Sequence, residues 1–128
     1  MVLKLLVHVN EPERWLIALA SITNFLNDVG DKHAAVIVVA NGAGVNGLVK
    51  GSFTATAIQG EACSIGTGAN IPEMEKLAER GVAFLACKNA LNARKILPEH
   101  LPAFVNVIPA GMTEMVRLQA EGFAYIKP

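Results

Sequence analysis

Short apolar runs alternate with helix-forming segments along this chain, and this alternation restricts it to a small set of folds. Runs rich in small, aliphatic and β-branched residues are typical of strands buried in a parallel sheet. The predicted strands are residues 2–9, 34–40, 82–87, 104–108 and 123–126. Helix-forming sequence separates these strands, which predicts right-handed crossovers between parallel neighbours.

The helix-forming segments carry their own start and stop signals. Asn10 is a predicted helix cap with Pro12 in the first turn, and we expect this helix to stop near Gly30. Further helices are predicted over residues 72–80, residues 89–96, and from a cap at Thr113 to Gly122. The sequence therefore predicts one domain over residues 1–128, a three-layer α/β/α sandwich with a mostly parallel sheet of about five strands.

One segment does not fit the alternation. Residues 50–70 are rich in glycine, alanine, serine and threonine, and they include Cys63. A structureless loop of that length is unusual inside a compact domain. The same composition extends over residues 42–70, where we expect either an active-site loop or an inserted hairpin around residues 53–58. We expect the variable loop or insertion to span about residues 50–70, with part of it ordered by a neighbouring subunit.

Composition narrows the possible partners. Apolar residues make up 52% of the chain and charged residues only 17%, so too little charge is available to cover the surface. We expect identical subunits to associate and hide an apolar face. Basic and acidic residues balance, which argues against a nucleic-acid partner.

Apolar stretches are too short for a membrane span or a signal peptide, so we expect a cytoplasmic protein with no membrane partner.

Cys87 is the strongest candidate for chemistry. It ends a buried strand and stands where the next helix begins. Unpaired amide N–H groups and the positive end of a helix dipole favour a thiolate there, and Lys88 adds positive charge. A second interpretation stays open, because free cysteine often simply fills a core. Cys63 and Cys87 lie far apart in unlike sequence and predict neither a disulfide nor a metal site, so we expect no cofactor.

A glycine-rich segment follows the second predicted strand. Residues 42–47 read Gly-Ala-Gly-Val-Asn-Gly and match the G-x-G-x-x-G pattern of dinucleotide sites. The context argues against such a site, since the pattern follows the second strand and no clear helix comes after it. A glycine turn after a strand is the ordinary alternative. The amides of Asn41, Gly42 and Gly44 could still hold a smaller anion.

His8 is the candidate for proton transfer. It lies near the carboxyl end of the first predicted strand, at the edge of the sheet where ligands bind in open α/β folds. If the first and third strands are neighbours, His8 would lie near Cys87 and could act as an acid or a base. The alternative is a histidine that only hydrogen-bonds at a strand end. Lys88 and Asn89, which follow Cys87, complete the candidate site as supporting residues.

Five stretches carry recognisable motifs in a fixed order. They are H-V-N-E at 8–11, V-V-A-N-G-A-G-V at 38–45, G-V-A-F-L-A-C-K-N-A-L at 81–91, I-P-A-G at 108–111 and L-Q-A-E-G-F-A-Y-I-K-P at 118–128. Together they resemble the DsrE/DsrF-like, YchN-type proteins. The resemblance implies a small α/β subunit that forms homotrimers or homohexamers. It also implies, from the sulfur-relay members, that Cys87 carries a persulfide between a sulfur donor protein and an acceptor protein. The long segment 50–70 departs from the family pattern.

Three functions are compatible with the sequence. The first is a sulfur carrier or sulfurtransferase in which a thiolate at Cys87 accepts and releases sulfane sulfur. The second is a non-enzymatic oligomeric protein in which Cys87 is merely packed and the loop 41–47 binds an anion or another small ligand. The third is a flavodoxin-like nucleotide enzyme that uses the glycine-rich segment.

Overall fold

Five parallel strands form one sheet in the computed structural model, which describes residues 1–51 and 68–128. The strands are β1 (Leu3–Val9), β2 (Ala34–Ala40), β3 (Ala83–Cys87), β4 (Val105–Ile108) and β5 (Ala124–Ile126). Their order is β4-β3-β2-β1-β5, so β2 is central and β4 and β5 are the edges. Every neighbouring pair is parallel. The prediction of a parallel α/β sheet is confirmed.

Helices cover both faces of this sheet. They are α1 (Trp15–Val29), α2 (Ile71–Glu79), α3 (Lys88–Ala93) and α4 (Gly111–Ala120). Alternate residues of β1 point to opposite faces, so that Val7 joins a large buried cluster with α1 and Leu6 joins a smaller cluster under α4. Trp15 of α1 and Phe84 of β3 are the largest side chains of the first cluster. The three layers match the predicted sandwich.

The first helix begins later than the sequence predicts. A 3-10 turn over Pro12–Arg14 precedes α1, and it has no side-chain cap. The Trp15 amide donates to the Pro12 carbonyl only three residues back, so this turn is tighter than an α-helical turn and excludes Asn10. The prediction that Asn10 caps the helix is therefore wrong. Its Oδ1 is instead buried, with no hydrogen-bond partner among the residues that the structure describes.

Two other helix boundaries also differ from the prediction. Helix α4 begins at Gly111, so Thr113 lies inside the first turn and does not cap it. Helix α3 ends earlier than expected, because Lys95 adopts a left-handed φ of 56°. The Ile96 amide then turns back to donate to the Leu91 carbonyl at 2.9 Å, which closes the helix.

Strand β2 separates β1 from β3. The prediction that placed His8 near Cys87 by making the first and third strands neighbours is therefore wrong in its strand order. Each of the first three strands pairs with the next one along the chain, whereas β5 returns to the outer side of β1. Any coupling between His8 and Cys87 must pass through the end of β2.

The predicted insertion at residues 50–70 lies mostly outside the described residues, as does Cys63. The residues on either side of the undescribed part meet, since a Cβ on Gly68 would lie 3.0 Å from the Gly51 amide nitrogen. Over the described ranges, no helix is long and apolar enough to cross a membrane.

An exposed ion pair ties the end of α1 to the end of α2. Arg80 donates to the Asp31 carboxylate through Nη2 at 2.8 Å and through Nε at 3.1 Å. Nη2 also donates to Asn27 Oδ1 at 3.1 Å. The hydrogen bonds from Arg80 lower the pKa of Asp31 below its ordinary value, and the bonds to Asp31 raise the pKa of Arg80. A carboxyl group with a lowered pKa stabilises the fold at neutral pH and loses that contribution as the pH falls.

Asp31→Asn should lower the urea midpoint of unfolding slightly at neutral pH, because an amide cannot form the charged pair with Arg80. The difference from wild type should shrink below about pH 4, where the wild-type carboxyl group also becomes protonated. Asp28→Asn removes the same charge from an exposed position nearby and serves as the control. Equal losses in the two variants, or a loss that does not change with pH, would contradict the expectation.

Candidate functional site

His8, Asn41 and Cys87 lie at the carboxyl-terminal edge of three adjacent strands. The side chains of His8 and Asn41 share the face that α4 covers, because His8 follows Leu6 by two residues and Asn41 follows Val39 by two, and both earlier residues pack under α4. Cys87 belongs to the main cluster and also lies close to Gly111 at the start of α4. The parallel register keeps these strand ends level. Ligands of open α/β sheets bind at this edge. The structure thus gathers three of the residues predicted for the site.

Two hydrogen bonds connect the ends of β5, β1 and β2. Tyr125 Oη lies 2.6 Å from His8 Nδ1, and His8 Nε2 lies 2.7 Å from Asn41 Oδ1. An amide oxygen can only accept, so the neutral His8 ring carries its proton on Nε2 and its Nδ1 accepts from the Tyr125 hydroxyl. Both ring nitrogens of this buried histidine are therefore satisfied. We call these three residues the Tyr125–His8–Asn41 network.

Tyr125 is absent from the residues that the sequence predicts for the site. Strand β5 pairs with β1 so that Tyr125 stands beside Leu6, which places the tyrosine on the same face as His8. The partners are 117 residues apart in the chain, and no local pattern shows that β5 returns to β1. One feature of the sequence could have pointed to Tyr125. It is an aromatic residue with a polar hydroxyl group, and it stands between two apolar residues of a predicted strand.

Cys87 lies beneath the start of α4 and is only 7% exposed. A Cβ on Gly111 would lie 3.2 Å from the Asn41 Cβ and 3.4 Å from the Cys87 Cβ. Gly111 therefore lets the first turn of α4 approach both residues closely. The first amides of a helix have no intrahelical acceptor, so the first turn of α4 brings unpaired N–H groups to this edge of the sheet. The sequence predicted a helix start at Cys87 from α3 alone.

Lys88 and Asn89 are exposed on the first turn of α3. In the part of the chain that the structure describes, neither side chain hydrogen-bonds to the Tyr125–His8–Asn41 network. Arg94, near the other end of α3, is buried, and its Nη1 donates to the Ala90 carbonyl at 3.1 Å. Burial lowers the pKa of the Arg94 guanidinium below its ordinary value. Of the predicted supporting residues, His8 is part of the network, whereas Lys88 and Asn89 stay near Cys87 along the chain but outside the network.

Close packing accounts for the glycine-rich segment. Gly42–Leu48 forms a short 3-10 helix. In dinucleotide-binding folds the same motif instead leads into a long α-helix whose N-terminus binds the pyrophosphate. The Gly44 carbonyl accepts from Trp15 Nε1 at 2.8 Å, and a Cβ on Gly44 would lie 2.2 Å from the Val9 carbonyl oxygen. A Cβ on Gly47 would lie 2.2 Å from Cδ1 of the Trp15 ring. Spatial constraint at these glycines thus favours the ordinary turn over a dinucleotide site.

A groove of about 420 Å³ borders Asn41 and Gly42. Glu11 and Glu13 line it, and no lysine or arginine does so among the described residues. Two carboxylates disfavour an anion in the groove. The Gly44 amide already donates to the Asn41 carbonyl at 3.0 Å, so it is not free for a ligand. These contacts weigh against the predicted anion loop of Asn41, Gly42 and Gly44.

Similarity to known proteins agrees with this architecture. The profile of the DsrE/DsrF-like family matches residues 5–128. The chain belongs to this family. Its structure is similar to that of the protein of unknown function MTH1491 from Methanobacterium thermoautotrophicum, with 27% sequence identity and a TM-score of 0.78 over 98% of this chain and 99% of that chain. No curated protein matches the sequence. Membership of the DsrE/DsrF-like family suggests a sulfur-relay role in general terms.

Gly47→Ala should destabilise this DsrE/DsrF-like protein by about 1–3 kcal/mol, because the new methyl group would overlap the Trp15 ring. The cost, measured by urea unfolding, should be smaller in a Trp15→Ala background, where the ring atoms that the new methyl group would overlap are absent. Gly81→Ala is the control. Its Cβ would meet nothing within 4 Å and would pay only for a φ of 98°, so its cost should be the same in both backgrounds. Equal costs of Gly47→Ala in the two backgrounds would show that Trp15 is not the obstacle.

Proposed function

We propose that this protein is a sulfur carrier that accepts sulfane sulfur as a persulfide on Cys87 and passes it to a partner thiol. Family membership supports a sulfur-relay role in general. One observation carries the assignment to Cys87, namely its position at the end of β3, against Gly111 and the start of α4. The first turn of α4 and the side chain of Asn41 both lie close to the Cys87 side chain.

The proposed transfer needs no oxidant and no cofactor. The Cys87 thiolate attacks the outer sulfur of a donor persulfide, a bond forms between Sγ and that sulfur, and the donor S–S bond breaks. Its electron pair leaves with the donor sulfur as a thiolate, while the transferred sulfur and its proton remain on Cys87. The second half reverses these steps, because an acceptor thiolate attacks the outer sulfur and Cys87 leaves as the thiolate.

Burial of Cys87 fits the storage of a reactive group. At 7% exposure the sulfur is largely shielded from water and from oxidants that would convert it to sulfenic or sulfinic acid. The same burial restricts what can reach it. The donor and the acceptor must present sulfur on a small molecule or on a narrow protein segment that enters at the edge of the sheet.

A non-enzymatic small-ligand-binding protein is the second candidate. The burial of Cys87 also favours this function, because its side chain joins the main apolar cluster of the fold. A cysteine that is only packed in this way is inert. The two candidates therefore differ in one measurable property, the reactivity of Cys87 in the folded protein.

Cys87→Ser should abolish the gain of one sulfur atom that intact-protein mass spectrometry detects after incubation with inorganic polysulfide. A hydroxyl group nearly preserves the volume but is not a comparable nucleophile at neutral pH. Cys63→Ser is the matched control and should load sulfur like wild type. Circular dichroism and light scattering on both variants check that folding and assembly are unchanged.

Sulfur loading of Cys87→Ser at the wild-type level would reject Cys87 as the carrier. Loading that is lost in Cys63→Ser and kept in Cys87→Ser would move the assignment to Cys63. If folded wild type gains no sulfur from polysulfide or from a small persulfide, the small-ligand-binding function becomes the better one.

We also propose that the chain functions as a homo-oligomer, a trimer or a hexamer as the family resemblance implies. Exposed apolar side chains support association. Ile17 on α1 and Ile126 on β5 are each 50% exposed, and with Leu5 and Phe25 they line a groove of about 290 Å³. Covering these side chains in an interface would remove apolar surface from water, which is favourable.

Light scattering at micromolar concentration should give the mass of three or six subunits. Ile17→Lys should shift the distribution toward smaller species, because a buried lysine without a partner opposes association. Leu97→Lys changes an equally exposed leucine outside this groove and should leave the mass unchanged. A monomeric wild-type protein would contradict the proposed assembly.

A further inference from the structure

We propose that Tyr125 and His8 are positioning residues that orient the Asn41 carboxamide, so that its Nδ2 amide donates a hydrogen bond to the anionic sulfur on Cys87. This inference rests on the proposed function and deepens it, since it assigns a donor to the sulfur and two residues that hold the donor in place. Neither the fold nor family membership assigns a role to Tyr125.

The hydrogen bonds fix which way the carboxamide faces. A carboxamide has one end that accepts and one end that donates, and a rotation of its plane exchanges them. Asn41 Oδ1 lies 2.7 Å from His8 Nε2, so the accepting end is turned toward β1. The opposite orientation would need an unprotonated Nε2, with the proton on Nδ1. The Tyr125 hydroxyl, 2.6 Å from Nδ1, can donate there and so satisfies Nδ1 when the ring carries its proton on Nε2.

The donating end of Asn41 is then directed away from β1. The strand on that side of β2 is β3, which ends at Cys87. The Cβ atoms of Asn41 and Cys87 both lie within 3.4 Å of the point where a Gly111 Cβ would be. Over the described residues, the Nδ2 amide of Asn41 donates to no acceptor, the Cys87 sulfur included. The amide is therefore available to a negative charge that forms on that sulfur.

Such a donor acts on both steps of the proposed transfer. Cys87 carries a thiolate before it attacks the donor persulfide and again when it leaves toward the acceptor. A hydrogen bond to a charged partner is stronger than one between neutral groups, and the buried location increases the effect. A fixed carboxamide supplies this bond without the reorganisation that water would require.

Tyr125 has no evident structural need for its hydroxyl group. The residue is 40% exposed on the three-residue edge strand β5, where water could satisfy the oxygen. Its contact with His8 is nevertheless a short hydrogen bond, and the two rings pack at a centroid distance of 5.7 Å. Tyr125 therefore acts on Asn41 only through His8, and both His8 and Asn41 stand between Tyr125 and the sulfur. This arrangement marks it as a positioning residue rather than a catalytic one.

The test compares the rates at which iodoacetamide alkylates Cys87 at pH 7, read by peptide mass mapping so that Cys63 is counted separately. Asn41→Asp still accepts from His8 but has no N–H to donate, so its rate should fall roughly threefold to tenfold. Tyr125→Phe keeps the ring and removes only the hydroxyl, and its rate should fall roughly threefold. Asn92→Asp adds the same charge at an exposed position of α3 and should react like wild type.

Coupling between the variants distinguishes positioning from independent effects. Once Asn41 cannot donate, removal of the Tyr125 hydroxyl should cost nothing further, so the double variant should alkylate at the rate of Asn41→Asp alone. Heteronuclear NMR of the His8 ring measures which nitrogen carries the proton. This property should not change in Tyr125→Phe if the hydroxyl group had only a structural role. The ring should carry its proton on Nε2 in wild type and should show both tautomers in Tyr125→Phe.

Wild-type alkylation rates in both single variants would overturn the inference, as would additive losses in the double variant or an unchanged His8 tautomer in Tyr125→Phe. The alkylation assay does not involve sulfur transfer, so its outcome is separate from that of the proposed function. A protein that fails to load sulfur but shows the coupled losses would keep the positioning network and reject the carrier role. A protein that loads sulfur normally but shows no coupling between the variants would keep the carrier role and reject the positioning network.

Discussion

The in-register parallel pairing of β1, β2 and β3 is the constraint on which the rest of this structure depends. Because the strands end level, with Val9 opposite Ala40 and Ala40 opposite Ala86, His8, Asn41 and Cys87 reach the same edge of the sheet although they belong to separate parts of the chain. A slip of one residue in β1 or β2 would turn its polar side chain to the opposite face, into the cluster around Trp15. The buried apolar residues of the strands therefore fix the position of the polar ones, and the same burial energy holds the fold and the site together.

The sequence predicted the architecture well because its signals are local. Apolar runs gave the five strands, and glycines at 30, 81 and 122 marked the ends of helices. The neighbours of each strand were harder, since strand order depends on contacts between distant segments. For that reason the sequence paired the first strand with the third and left Tyr125 out of the site. The predicted helix start at Asn10 was wrong because a tight 3-10 turn over Pro12–Arg14 precedes α1. The predicted start at Thr113 was wrong because α4 already begins at Gly111.

Glycines illustrate why a sequence pattern can be matched without its usual function. Gly44 and Gly47 match a phosphate-binding motif, yet one lies against the Val9 carbonyl and the other against the Trp15 ring. The first contact joins the segment after β2 to the end of β1, and the second joins it to the start of α1. Gly111 does the same for α4, which passes within van der Waals distance of Asn41 and Cys87. In each case the missing side chain lets backbone approach a neighbour that a methyl group would hold away.

The edge position of β5 has a consequence for dynamics. This strand has three residues, all exposed, and one neighbour, so it belongs to the part of a sheet that frays at little cost while the central strands stay protected. Fraying would withdraw Tyr125 from His8 and leave the carboxamide beside Cys87 free to rotate, with the rest of the molecule intact. Under the positioning role that we propose for Tyr125, the reactivity of Cys87 would then follow the opening equilibrium of one short strand rather than the global stability of the protein. A partner that holds this edge strand in place, or one that displaces it, would thereby change the reactivity of Cys87 without touching the site.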